Sequence, residues 1–204
     1  MTTSEVIPLT AADVPAAVAS LAAAFADYPL LRTIAPDPAR RPRVVEAFCR
    51  MLVRYAVRVG RPYTTVDRAA VACWLPPGRE WLTWFGLIRS GSLALDWRLG
   101  WRGTLRLERL EQVFDRLRAA DSTGPHWYVY LLGVRPARKG QGLARALLRP
   151  GFDAADRDRV RCYLETQNEV NVGIYRRLGF EVAGEAEPTP GLRSWTMRRD
   201  PGDG

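Results

Sequence analysis

The sequence predicts a mixed α/β (α+β) fold with one parallel crossover in its middle, and three stretches predict it. Residues 126–166 read as strand, glycine-containing loop, apolar-periodic helix and strand, the pattern of a parallel βαβ unit. Residues 63–75 and 180–197 each read as two strands joined by a short turn, which implies antiparallel flanks. From Glu80 to Ala120 the pattern is helical, rich in tryptophan and broken by glycines 86, 91, 100 and 103. That stretch reads as helices inserted between the third and fourth strands. The 204 residues suit a single domain, 1–204, with 76–124 as the insertion.

Each element has its own signal. Val6 to Leu9 reads as a short strand. Thr10 followed by Asp13 resembles a helix N-cap, and Ala11 to about Ala26 carries Val14, Val18, Leu21 and Phe25 on one helical face. Tyr28-Pro29 ends that helix, since a residue before proline avoids the helical region, and Pro36 and Pro38 mark a loop. Val45, Phe48, Leu52, Tyr55 and Val59 recur at helical spacing across 39–59, and Gly60 closes the run. Tyr63–Val66 and Ala70–Leu75 form the first hairpin, turning near Asp67-Arg68, a pair not favoured in tight turns. Pro76-Pro77-Gly78 stops it. His126 to Val134 is β-branched and aromatic, hence a strand; a helix follows over 142–156, a strand over 161–166 and a short helix over 170–178. Phe180–Glu185 and Leu192–Met197 pair across Pro188-Thr189-Pro190-Gly191.

Bulk properties exclude several classes. No run approaches the ~20 apolar residues of a membrane span, and the N-terminal residues lack a basic region followed by an apolar core, so a cytoplasmic location without membrane association is expected. Cys49, Cys73 and Cys162 are scattered, without CxxC spacing, which argues against both a disulfide framework and a zinc site. His126 is the sole histidine and no GxSxG elbow occurs, so neither a His-rich metal centre nor a serine hydrolase is expected. The formal charge of +8 comes almost wholly from arginines spread along the chain. A basic surface suits an anionic cofactor as well as nucleic acid; because the arginines form no run, no nucleic-acid partner is expected.

The informative segment is Leu132-Gly133-Val134-Arg135-Pro136-Ala137-Arg138-Lys139-Gly140-Gln141-Gly142-Leu143-Ala144. A strand runs out, a loop with two glycines turns, and a helix begins at once. The first N–H groups of a helix have no partner in the helix and carry partial positive charge, and glycine lets a phosphate approach the backbone. The chemistry is that of a diphosphate cradle, with Arg138 and Lys139 adding charge. A plain strand-to-helix turn needing glycine for geometry is the alternative. No Gly-Lys-Ser/Thr follows, and no third glycine, so neither a Walker loop nor a dinucleotide fingerprint is present.

Lys139-Gly140-Gln141-Gly142-Leu143-Ala144 resembles the acetyl-CoA motif of the GNAT superfamily of N-acetyltransferases, with lysine where glutamine or arginine is usual. Leu132-x-Val134-x-Pro136 ahead of it and Tyr175-x-x-x-Gly179-Phe180 after it fit the same family. Residues 21–29, 164–180 and 193–197 resemble the members that acetylate aminonucleosides, whereas 76–124 matches weakly. The resemblance implies a central mixed sheet of about six or seven strands with flanking helices, and a substrate-side insertion. It implies acetyl-CoA as cosubstrate, no metal, a small-molecule amine as acceptor, and a monomer or homodimer. Leu132, Gly133 and Val134 would pair with pantetheine, the Leu132 N–H would face the thioester oxygen, and Lys139 to Ala144 would hold the diphosphate.

Tyr175 would protonate the departing thiolate, since a phenol stays protonated near neutral pH; a core tyrosine is the bland alternative. Glu165 is the candidate general base, with orientation of substrate or pairing with an arginine weighed equally. Asn171 either bonds pantetheine or caps the short helix. Tyr28 would line the acceptor side, and Trp81, Trp84 and Phe85 either wall the acceptor or pack a helix. A protein or peptide amine is the rival acceptor. A basic nucleic-acid module and an acyl-CoA sensor without turnover are rivals of other classes.

Overall fold

A computed structural model describes residues 5–79, 83–121 and 124–202. Strand β1 (Val6–Pro8) leads through a 3-10 turn (Ala11–Asp13) into α1 (Val14–Ala24). Helices α2 (Pro29–Ile34) and α3 (Arg41–Val59) follow, then the hairpin β2 (Arg61–Thr65) and β3 (Ala70–Leu75). Helices α4 (Trp84–Ser90) and α5 (Ser92–Asp121) are inserted before β4 (His126–Val134). Helix α6 (Leu143–Asp158) crosses to β5 (Arg161–Thr166), and α7 (Glu169–Arg176), β6 (Glu181–Thr189) and β7 (Leu192–Arg199) complete the order. The described strands form one seven-stranded sheet in the order β1-β2-β3-β4-β5-β7-β6. Every neighbouring pair is antiparallel except β4 and β5.

Strand alternation sorts the core into two layers. Val71, Cys73 and Leu131 face α1, α2, α3 and α5, where Leu21, Leu31 and Val53 are fully buried. Ala70, Ala72, Trp74 and Leu164 face α6 and α7. Along β4 the alternation slips. Cys73 pairs with Leu131 but Trp74 pairs with Val129, so Tyr130 is an extra residue. That bulge lets Val129 and Leu132 both lie on the α6 face, with Leu131 on the other.

One sequence expectation needs correction. The first helix ends at Ala24, capped by Phe25 ahead of Tyr28-Pro29, and Pro29 instead starts α2 from the first helical position, where its missing N–H costs nothing. The insertion is helical as expected, with two helices among its described residues, and α5 is kinked where Gly100 takes φ 67° and ψ 167°. The unfavoured turn at Asp67-Arg68 is explained by side chains. Arg68 sits at φ 54°, and its guanidinium bonds the Asp13 carboxylate at 2.8 and 3.0 Å, while Asp67 accepts from the Ala69 N–H at 3.2 Å. Thr10 and Asp13 do form a capping box, heading the 3-10 turn that runs into α1.

Glycines set two close approaches. A Cβ at Gly133 would lie 2.6 Å from a Leu21 methyl, so β4 admits α1 only because position 133 lacks a side chain. A Cβ at Gly151 would overlap the Trp74 indole. Gly151→Ala should lower stability by roughly 1–3 kcal/mol through overpacking, despite alanine's better helix propensity. A urea or thermal melt no lower than that of the unsubstituted protein would contradict this packing.

Candidate active site

The site begins where two strands part. β4 and β5 are paired at His126–Arg161, Trp127–Cys162 and Tyr128–Tyr163, and there the pairing stops. Tyr130 bulges two residues later, so Val129 to Val134 lean towards β3 while Leu164 to Thr166 stay with β7. The gap opens into a cavity of about 480 Å³. Its wall takes side chains from β4, from β5, from Phe25 and Tyr28 near α1, and from α3 and α5.

The loop beyond β4 supplies the second half. Gly140 (φ 77°) and Gly142 (φ 76°) are both left-handed, a conformation that glycine adopts without strain. At the helix N-cap, where Ser, Thr, Asp or Asn is usual, Gly142 offers no side-chain oxygen to the first N–H groups. Among the described residues, no backbone carbonyl accepts from the N–H groups of Gly140, Gln141, Gly142, Leu143 or Ala144 outside the helix's own ladder. No atom lies within 4 Å of a Cβ built on either glycine. The Arg138 guanidinium is held over the turn by Gln141 Oε1 at 2.9 Å and by Asp67. Free amides, an open concavity and the α6 N-terminus together fit an anionic diphosphate.

At the inner end lies a buried ion pair. Arg118 Nε and Nη2 donate to the two oxygens of Glu165 at 3.0 and 3.3 Å, and Nη1 reaches Asp115 at 3.1 Å. The two side chains are 6% and 9% exposed. Burial pushes the Glu165 carboxyl up, and the Arg118 charge pulls it back down. The Tyr163 hydroxyl lies 3.4 Å from the same carboxylate. Glu111, one turn before Asp115 on α5, is pushed up to about 7, first by burial and then by the Glu165 charge.

Residues 68–180 match the Acetyltransferase (GNAT) family. The chain belongs to the GNAT acetyltransferases. An uncharacterized N-acetyltransferase of Schizosaccharomyces pombe is 28% identical over 179 residues, covering 83% of this chain and 71% of that protein. The N-alpha-acetyltransferase RimI of Mycobacterium tuberculosis is 38% identical over 85 residues, 40% of this chain and 54% of that one. A solved Corynebacterium glutamicum structure, described as histone acetyltransferase HPA2 and related acetyltransferase, matches with a TM-score of 0.64 at 23% identity, covering 98% of this chain and 97% of the other. The GNAT fold expected from the motifs is therefore present, with its mixed sheet and inserted helices.

Within this GNAT the expected residues divide. Leu132, Asn171, Tyr175, Glu165 and Tyr28 all line the cavity. Gly133 is turned against α1, and Val134 packs towards α6. Tyr175 is buried edge-on to Phe180 at 5.7 Å, and burial pushes its phenol up, so it is neutral and a potential proton donor. Tyr28 is tied at the mouth of the gap, accepting from the Gln167 N–H at 2.9 Å, with Thr166 Oγ1 at 3.2 Å. The cap of α7 is Asn168, whose Oδ1 accepts from the Val170 N–H, and not Asn171, whose Nδ2 donates to Thr166 at 3.3 Å.

The aromatic wall needs correction. Phe85 is 68% exposed, stacks under Arg89 on the outer face of α4 and does not line the cavity; Leu87 from the same helix does. Trp81 lies outside the described residues, as does the side chain of Trp84. Trp97 and Trp101 are 80% and 70% exposed, under Arg98 and Arg102, so neither packs the core. Sequence reading missed Arg118 and Glu111. Their signal is a polar stripe, Glu111, Asp115 and Arg118 at i, i+4, i+7, on a helix whose Phe114 is also buried.

The ion pair yields a stability prediction. Arg118→Met strands Glu165 as a buried charge, which costs on the order of 3–5 kcal/mol. Melts at pH 8 should show that loss, shrinking at lower pH as Glu165 takes up a proton. Arg118→Met with Glu165→Met should recover most of it. A double variant as unstable as the single one would mean that the loss comes from packing instead.

Proposed function

We propose that this GNAT transfers the acetyl group of acetyl-CoA directly to a primary amine of a small molecule, an aminonucleoside-like compound being the favoured acceptor. The observation that carries the small-molecule part is the roof. Helix α5 brings Leu95, Leu107, Phe114 and Arg118 into one lining with Tyr128, Leu132 and Glu165 of the gap, which supports a small acceptor held in a pocket over a peptide laid along a groove. The aminonucleoside assignment rests on residues 21–29, 164–180 and 193–197, which resemble puromycin N-acetyltransferase. Acetylation of a protein N-terminus is the second reading, favoured by the likeness to RimI.

The chain's own groups divide the work. Amides from Gly140 to Ala144, with Lys139 and Arg138 beside them, grip the diphosphate. The Leu132–Val134 edge pairs with pantetheine in the gap, Asn171 faces it from α7, and the Leu132 N–H steadies the oxyanion. The thioester supplies an acetyl carbon activated for attack. Tyr175 protonates the departing sulfur. The carboxylates at the inner end, Glu165 among them, receive the charged acceptor and bear on its proton. Holding both reactants in one gap supplies much of the rate.

Acetyl-CoA at ~100 times Kd should stabilise the protein by about 2.7 kcal/mol, which raises Tm by roughly 5–10 °C at this size. Thiol release should follow with an amine panel that contains puromycin and should be absent with a peptide bearing a free N-terminus. Turnover of the peptide alone would reverse the acceptor assignment. Tyr175→Phe should lower kcat by about 100-fold or more with the KM for acetyl-CoA nearly unchanged. Unaltered kcat would remove Tyr175 from the chemistry.

A further inference from the structure

The cavity inverts the charge of the protein. The chain is +8 overall, yet the wall carries Asp96, Glu108, Glu111, Asp115 and Glu165 against one cation among the described residues, Arg118. Arg118 is committed, with two bonds to Glu165 and one to Asp115. Asp96 takes a bond from Thr104 at 3.4 Å. The Glu111 carboxylate has no hydrogen bond or ion pair among the described residues; burial and the charges of its neighbours act on it. Close by in the same wall, the Tyr130 hydroxyl at the β4 bulge is buried without a partner among the described residues.

A half-buried carboxylate and a buried phenol oxygen, neither with a donor among the described residues, describe what is missing. A carboxylate and a phenol oxygen are both satisfied by an ammonium, which brings three N–H donors and one positive charge. The rest of the wall, with Phe25, Phe48, Leu52, Leu95 and Phe114, is apolar and suits a hydrocarbon or aromatic body. Glu165 is less suited to take a proton. Burial raises its carboxyl, but both of its oxygens already take a guanidinium N–H, so neither is without a donor for the acceptor ammonium to replace.

We propose that Glu111, on the inserted helix, is the catalytic base: it receives the ammonium of a small acceptor with an apolar body and takes one of its protons. Glu165, fixed by Arg118, is a positioning residue that keeps the inner end negative. The proposal rests on the acetyl-transfer reading above. Glu111 accepts a proton from R–NH3+, leaving R–NH2 with a lone pair. That pair forms the C–N bond as the carbonyl π pair moves to oxygen. When the carbonyl re-forms, the C–S bond breaks and its pair stays on sulfur, which takes the Tyr175 proton. The second proton lost from nitrogen restores Tyr175, and Glu111 releases the first to water.

Burial and the neighbouring Glu165 charge raise the Glu111 carboxyl to about 7, against the pull of Arg118, while Asp115 on α5 pushes the same way as Glu165. Tyr128 and Tyr130, facing it from β4, are pushed up and stay neutral. The base form therefore gains population as pH rises through about 7.

The test uses the full chain with acetyl-CoA and three probe amines: 2-phenylethylamine, tryptamine and puromycin. For the unsubstituted protein, kcat/KM should rise with pH through an inflection near 7. Glu111→Gln should lose at least ~100-fold at pH 7, lose that inflection, and climb about tenfold per pH unit towards the amine's own pKa. Glu111→Asp should restore part of the rate and the inflection, and Glu165→Gln should keep an inflection but move it to lower pH, because the charge that helps raise Glu111 is gone. A carboxyl-13C glutamate titration should show one carboxyl near 7 that vanishes in Glu111→Gln. Stabilisation by acetyl-CoA checks that each variant is folded. No turnover by the unsubstituted protein with any of the amines would sink the small-amine reading. Turnover with a Glu111→Gln profile reduced equally at every pH, or loss of the inflection in Glu165→Gln instead, would overturn the role of Glu111.

Discussion

Two parallel strands share three residue pairs and then separate, and nearly everything else about this protein answers that separation. Beyond Tyr128 and Tyr163 the facing edges of β4 and β5 have no ladder between them. Backbone polar groups left unpaired in a protein interior are costly, so a gap of this kind persists only if something else bonds them. The Tyr130 bulge opens it by adding a residue to β4 and turning the strand towards β3. Gly133 lets α1 press against the displaced strand. An extended, amide-bearing ligand arm can enter such an edge as a short strand does. The open glycine turn follows directly on that edge, in keeping with the proposed place of the arm's anionic end.

Charge is arranged by the same geometry. The glycine turn presents amides beside Arg138, and the cavity wall collects carboxylates. Arg118 neutralises one carboxylate fully and another in part, which makes the acidic cluster tolerable without cancelling it. Helix α5 therefore has two duties. Its apolar side chains complete the core beside α3, and its polar stripe shapes the acceptor end.

The fold was legible because its signals are local. β3 and β4 are β-rich, α3 and α6 repeat at helical spacing, and Gly142 marks the start of α6. The open glycine turn was legible for the same reason: one contiguous run, 132–144, carries it. The lining of the cavity was not. Phe85 looks like a pocket aromatic in sequence, yet which face of α4 turns inward is set by packing on α3, and that favours Leu87. The pairing of Arg118 with Glu165 spans 47 positions, which no spacing rule encodes. Helix α2 was hidden because proline signals both the end of one helix and the start of another, and only the burial of Leu30, Leu31 and Ile34 decides between them.

The most direct measurement is a crystal structure with a hydrolysis-resistant acetyl-CoA analogue. The account predicts diphosphate oxygens about 3 Å from amide nitrogens between Gly140 and Ala144, with the pantetheine arm lying between β4 and β5 beyond Tyr128. Diphosphate density at another surface, with the turn after Arg138 bonded to the chain's own oxygens, would contradict it.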